Sequence, residues 1–98
     1  MLVKVIKSYR DTVAICDSEL VGKKFEEGKF QLDVKENFYN GKEVDEQELM
    51  RIITRMAKED ATFNIVGKES VSAALKAGII EKDGIRKIQG MPFALVLL

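Results

Sequence analysis

The chain has 98 residues, 46% of them hydrophobic and 33% charged, and sixteen Lys and Arg balance sixteen Asp and Glu. That length suits one domain spanning 1–98 with one core, and zero formal net charge removes the long-range field by which basic proteins gather nucleic acid. The lack of histidine takes away the commonest general base and metal ligand, and a lone cysteine, Cys16, can form neither an internal disulfide nor a cysteine zinc site, so no metal and no cofactor is expected.

Lysines interrupt the apolar residues of Met1–Lys7, where a signal peptide would need an unbroken apolar core of about 7–15 residues. The longest apolar run, Met91 to Leu98, falls far short of the roughly 20 residues of a membrane helix. The expectation is a cytoplasmic protein with no membrane partner.

Residues 2–7 and 12–16 are short, rich in Val and Ile and separated by Tyr9-Arg10-Asp11, which predicts two strands paired as a hairpin. Gly22 and Gly28 bracket the charged excursion Lys23-Lys24-Phe25-Glu26-Glu27, anchored by Phe25. Phe30 to Val34 alternates with the period of a half-buried strand, and Asn40-Gly41 reads as a turn of residues that tolerate positive φ. Asp45 followed by Glu48 makes a capping-box-like start, and Leu49, Ile52, Ile53 and Met56 give a helical stripe over 45–58, with Arg51, Arg55 and Lys58 on other faces.

Thr62 to Val66 has strand composition; Gly67 opens a second amphipathic helix carrying Val71, Ala74 and Leu75, and Gly78 stops it. Ile79-Ile80 begins another strand, and Ile85 to Ile88 pairs back across an Asp83-Gly84 turn. The terminal Phe93 to Leu98 is nearly all apolar, so it is expected to be buried on both faces, in the middle of the sheet or at an oligomer interface. Together these segments predict an α+β fold: a mixed sheet of five to six short strands with two main helices packed on it.

Few residues offer chemistry. Asp45, Glu46 and Glu48 gather where a helix N-terminus favours negative charge, which accounts for them without acid–base work. Asp17 beside Cys16 would raise the thiol pKa, so Cys16 reads as a small buried hydrophobe and not a nucleophile. The strand–Gly–helix unit Asn64 to Ser70 places backbone N–H groups near Lys68 and is a candidate anion or RNA-phosphate contact, yet it lacks the spacing of a P-loop and Glu69 would repel a phosphate; a plain tight turn explains the same residues. Tyr39 beside Phe38 is a candidate base-stacking platform, the alternative being a core Phe38 with a half-exposed neighbour. Lys23 and Lys24 form a local basic pair, as do Arg86 and Lys87. The candidate RNA or anion site is therefore Lys23, Lys24, Tyr39, Asn64, Gly67 and Lys68, and no catalytic residue is assigned.

Cys16-Asp17 with Glu19 and Gly22, Phe25 and Gly28, Phe38-Tyr39 with Gly41, Asn64 with Val66-Gly67, Val71, Ala74, Gly78, and then Ile88, Gly90, Pro92 and Ala94 together resemble a small archaeal family, catalogued as domain of unknown function number four hundred twenty-four. The resemblance spans most of the chain. It implies an archaeal cytoplasmic protein with a compact α+β fold and an association with RNA or translation, and it brings no activity. The family pattern reads Gly-Val-Pro-His-Ala where this chain has Gly90-Met91-Pro92-Phe93-Ala94, and Phe93 in place of histidine weighs against enzyme chemistry here.

Three readings of function follow. A non-catalytic module associated with RNA or the ribosome comes first. A protein–protein adaptor or homodimer using the apolar C-terminal segment is the alternative, and a small enzyme working without histidine, through Asp17, Lys68 or carboxylates, stands third.

Overall fold

The computed structural model describes residues 1–97. Strands β1 (Leu2–Ile6) and β2 (Thr12–Cys16) form the expected hairpin, with Leu2 opposite Cys16 and Ile6 opposite Thr12. A 3-10 turn at Ser18–Leu20 leads into β3 (Lys24–Glu27) and β4 (Phe30–Asp33), which pair with each other as a separate two-stranded sheet. Phe25 is half-buried there, anchoring the charged excursion as its apolar character predicts.

The short helix α1 (Glu36–Tyr39) and the two-residue strand β5 (Lys42–Glu43) follow, and neither has enough sequence to show a period. The Asn40-Gly41 expectation is corrected: Asn40 sits at φ −76°, and Gly41 is not among the positive-φ residues. Gly41 answers a close approach instead, because a Cβ there would lie 2.1 Å from the Val3 carbonyl oxygen.

Helix α2 (Glu46–Lys58) starts one residue inside the predicted span, and its cap is Asp45, whose carboxylate accepts from Glu48 N at 2.8 Å. The reciprocal half of a capping box is replaced by an ion pair of Glu48 with Lys42 at 2.7 Å. Leu49, Ile53 and Met56 are buried as the stripe requires. Then come β6 (Thr62–Val66) and α3 (Lys68–Ala77), which closes on Gly78 in the left-handed region at φ 78°.

Ile79-Ile80 is not a strand. After the αL residue these two side chains pack against the helix-side core, so their backbone does not enter the ladder. Strand β7 (Arg86–Ile88) pairs forward with β8 (Met91–Val96), not back across Asp83-Gly84. The reversal falls at Gln89 and Gly90, at φ 51° and 76°, the two positive angles of a tight two-residue hairpin.

The main sheet runs β5-β1-β2-β6-β8-β7, with β2 and β6 parallel and every other pair antiparallel. Alternation divides its core in two. Val3, Val13, Ile15, Phe63 and Ile65 face α2 and α3, while Leu2, Ala14, Cys16 and Val66 face the turn at Leu20, the β3–β4 hairpin and α1.

Strand β8 lies inside the sheet, between β6 and β7, but it is not buried on both faces. Leu95 is 56% exposed and Leu97 76%, since the hairpin covers the face only as far as the row of Phe93. Leu98, the last residue of the predicted apolar run, lies outside the described residues.

Candidate functional site

The most polar buried point is the end of β2. Asp17 is 5% exposed and projects its carboxylate at the start of α3, accepting from Glu69 N at 3.1 Å and from both Ser70 N and Ser70 Oγ at 2.8 Å. Gly67, at the helix N-cap, has no side chain to do this. Its φ of 111° and a built Cβ only 2.3 Å from Asp17 Cγ show why glycine stands there. The N-terminus that the sequence offers to an external anion is thus filled from within, by a residue more than fifty positions away in the chain.

Asp17, Glu19 and Glu69 also bring ligand atoms within 4.8 Å of one another. Both oxygens of Asp17 already accept hydrogen bonds from the helix, so the grouping is a capped helix end with two exposed acids beside it.

The other predicted residues do not converge. Lys23 and Lys24 are exposed at the entry to the small sheet. Lys68 is exposed in a groove of about 330 Å³ shared with Met1, Glu46, Glu69, Ser72 and Lys76, on the helical side. Asn64 sits opposite Ala14 and Leu95 on the other face of the sheet. Tyr39 is 7% exposed and packs edge-on to Phe38, with ring centroids 5.0 Å apart; burial, with the nearby Cys16, pushes its hydroxyl up to about 12. Its ring belongs to the core and offers no face to a base, and Phe38 is the more exposed of the pair.

Cys16 is buried, and desolvation followed by the Asp17 charge pushes its thiol up to about 11, the state of an unreactive thiol.

A different cleft opens where the small hairpin meets the edge of the large sheet. Gln89 joins them: its N–H donates to Glu27 Oε1 at 2.8 Å, and its Oε1 accepts from Glu26 N at 3.4 Å. The clasp frames a cleft of about 360 Å³ lined by Glu27, Phe30, Arg86, Lys87, Ile88 and Phe93. Phe30 is 72% exposed and shares the cleft with the half-buried Phe93. Arg86 Nη1 donates to Asp83 O at 2.9 Å, which steadies the guanidinium beside the cleft.

Sequence alternation assigned Phe30 to the same inward face as Leu32 and Val34. Burial instead fades from Val34, just past the end of β4, at 0%, back through a half-buried Leu32 to the exposed Phe30, as the strand runs off the core. The Arg86-Lys87 pair was visible in sequence, and so was Phe93, the residue standing where the resembled pattern has histidine. Only the fold places them together.

These features define a small α+β protein with a cleft at the sheet edge that brings two aromatic rings and two cations together beside the Glu27 carboxylate. The chain belongs to the family described as Protein of unknown function (DUF424), whose model matches residues 6–98. It is similar to the crystal structure of an uncharacterized conserved protein from Methanopyrus kandleri, with a TM-score of 0.85 and 23% identity over 98% of this chain and 90% of that one, a likeness of fold. No functionally curated protein matches it. No helix among the described residues is long and apolar enough to cross a membrane.

Proposed function

We propose that this protein is a non-catalytic module of the cytoplasm that binds single-stranded RNA, in translation or RNA metabolism, through the cleft between the hairpin and the sheet edge. The observation that carries the reading is the ring of Phe30, 72% exposed, in a cleft that also holds Phe93, Arg86 and Lys87. A base stacks on an aromatic face whatever its identity, and the adjoining cations meet the phosphates on either side. Zero net charge agrees with a local and weakly salt-dependent contact, distinct from a general affinity for polyanions.

The test is a titration of a fluorescent ten-nucleotide single-stranded RNA with the full chain at several salt concentrations. Two phosphate contacts give a slope of log affinity against log salt of about −1.4. Phe30→Ala should weaken binding by about 1–3 kcal/mol with the slope unchanged. Arg86→Gln with Lys87→Gln should remove most of the slope. Absence of binding at low salt ends the RNA reading.

A second reading draws on the uncovered end of the sheet face, where Leu95 and Leu97 are exposed: a homodimer or a protein partner covers that end. Sedimentation of the wild type beside Leu95→Lys decides it, because a dimer through this face would dissociate in the variant.

A further inference from the structure

On the opposite side of the sheet, the outward face of α2 presents Gln47, Met50, Arg51, Thr54, Arg55 and Lys58, which border a shallow depression of about 510 Å³ containing no carboxylate. Arg51, Arg55 and Lys58 are all exposed, and none of the ion pairs or hydrogen bonds among the described residues engages their side chains. The acids of the same helix are held elsewhere: Glu46 pairs with Lys76 at 2.9 Å and Glu48 with Lys42 at 2.7 Å. Arg55 also borders a neighbouring groove with Lys7, Asp11 and Glu59, but forms no ion pair with either acid there. A protein with zero net charge thus segregates three unpaired cations on one rigid face.

The character of that face selects its occupant. Met50 is its one large apolar side chain, since Leu49, Ile53 and Met56 turn into the core, so a protein helix would find almost no apolar anchor there. A second copy would set arginine against arginine. A phosphate backbone needs only donors, and Arg51 to Lys58 spans about 10 Å at 1.5 Å per residue, room for successive phosphates of a duplex strand. We propose that the outer face of α2 binds the phosphate backbone of an RNA duplex. This contact is separate from the single-strand cleft, and the two surfaces lie on opposite sides of a body measuring 36 × 28 × 27 Å. A folded RNA that offers a stem and an unpaired segment would engage both.

The probe is a blunt sixteen-base-pair RNA duplex titrated with the full chain across a salt series. The wild type should bind, and the triple variant Arg51→Gln, Arg55→Gln, Lys58→Gln should flatten the slope of log affinity against log salt by about 2–3. The single variant Arg55→Gln should produce about a third of that flattening, and the charge-conserving variant Arg51→Lys, Arg55→Lys should keep most of the wild-type slope. Phe30→Ala should leave duplex binding untouched, and the triple variant should leave single-strand binding in the cleft untouched, so loss of either contact is read apart from loss of the other. The proposal is overturned if the wild type does not bind the duplex at low salt, if the triple variant binds it with an unaltered slope, or if polyglutamate binds this face in preference to the duplex.

Discussion

Asp17 and Gly67 act as one unit although they lie on different elements. The carboxylate replaces the cap that glycine cannot provide, and the glycine leaves the space that the carboxylate fills. Asp17→Ala would strand two helix N–H groups and the Ser70 hydroxyl in a buried place, a loss of about 2–3 kcal/mol. Gly67→Ala should cost about 3 kcal/mol, because strain at positive φ adds to the collision with Asp17. Gly84→Ala is the control: no atom lies within 4 Å of a Cβ there and its φ is ordinary, so its stability should hold or rise by about 0.4–1 kcal/mol. Urea melts of the three variants check this, and a Gly67→Ala protein as stable as the wild type would show that the close approach is not real. The sequence offers Asp17 only as a neighbour of Cys16; no local pattern ties it to a helix that begins at Lys68.

At the scale of elements, legibility follows period and length. Helix α2 is long enough for its apolar stripe to repeat and carries its own cap, so Leu49→Ala or Ile53→Ala should cost about 2–5 kcal/mol while Arg51→Ala changes stability little. Equal small losses at all three in a denaturant series would mean that the buried face is misassigned. Strands β1, β2 and β6 were equally plain, being short Val- and Ile-rich runs between turn residues. The pairing of β7 with β8 was hidden because Gln89, an ordinary residue, takes positive φ beside Gly90, while the more familiar Asp83-Gly84 closes only a 3-10 turn. The candidate site was less legible than the fold: Arg86, Lys87 and Phe93 stood out singly, but the exposure of Phe30 depends on where the sheet ends, which no single strand records.

For the molecule as a whole, the core layer under the hairpin and α1 carries a proton-linked liability. Cys16 and Tyr39 belong to the same buried cluster, and burial raises both, the thiol from 9.0 to about 11 and the phenol from 10.0 to about 12. A group whose pKa is higher in the folded state keeps its proton there after the unfolded chain has lost it. Between about pH 9 and 12 the native state therefore binds more protons than the unfolded one, and stability falls as pH rises. Below pH 9 both states hold these protons and the contribution is fully present. Chemical denaturation from pH 7 to 11 should accordingly show stability flat at first and then declining. Cys16→Ala should lower stability throughout, through the cavity it leaves, while making the decline above pH 9 shallower. Cysteine labelling gives the same quantity independently: a thiol reagent should react slowly with the folded protein at pH 8 and rapidly once it is unfolded. An alkaline slope that Cys16→Ala leaves unchanged, together with fast labelling of the native state, would place the thiol outside the buried layer.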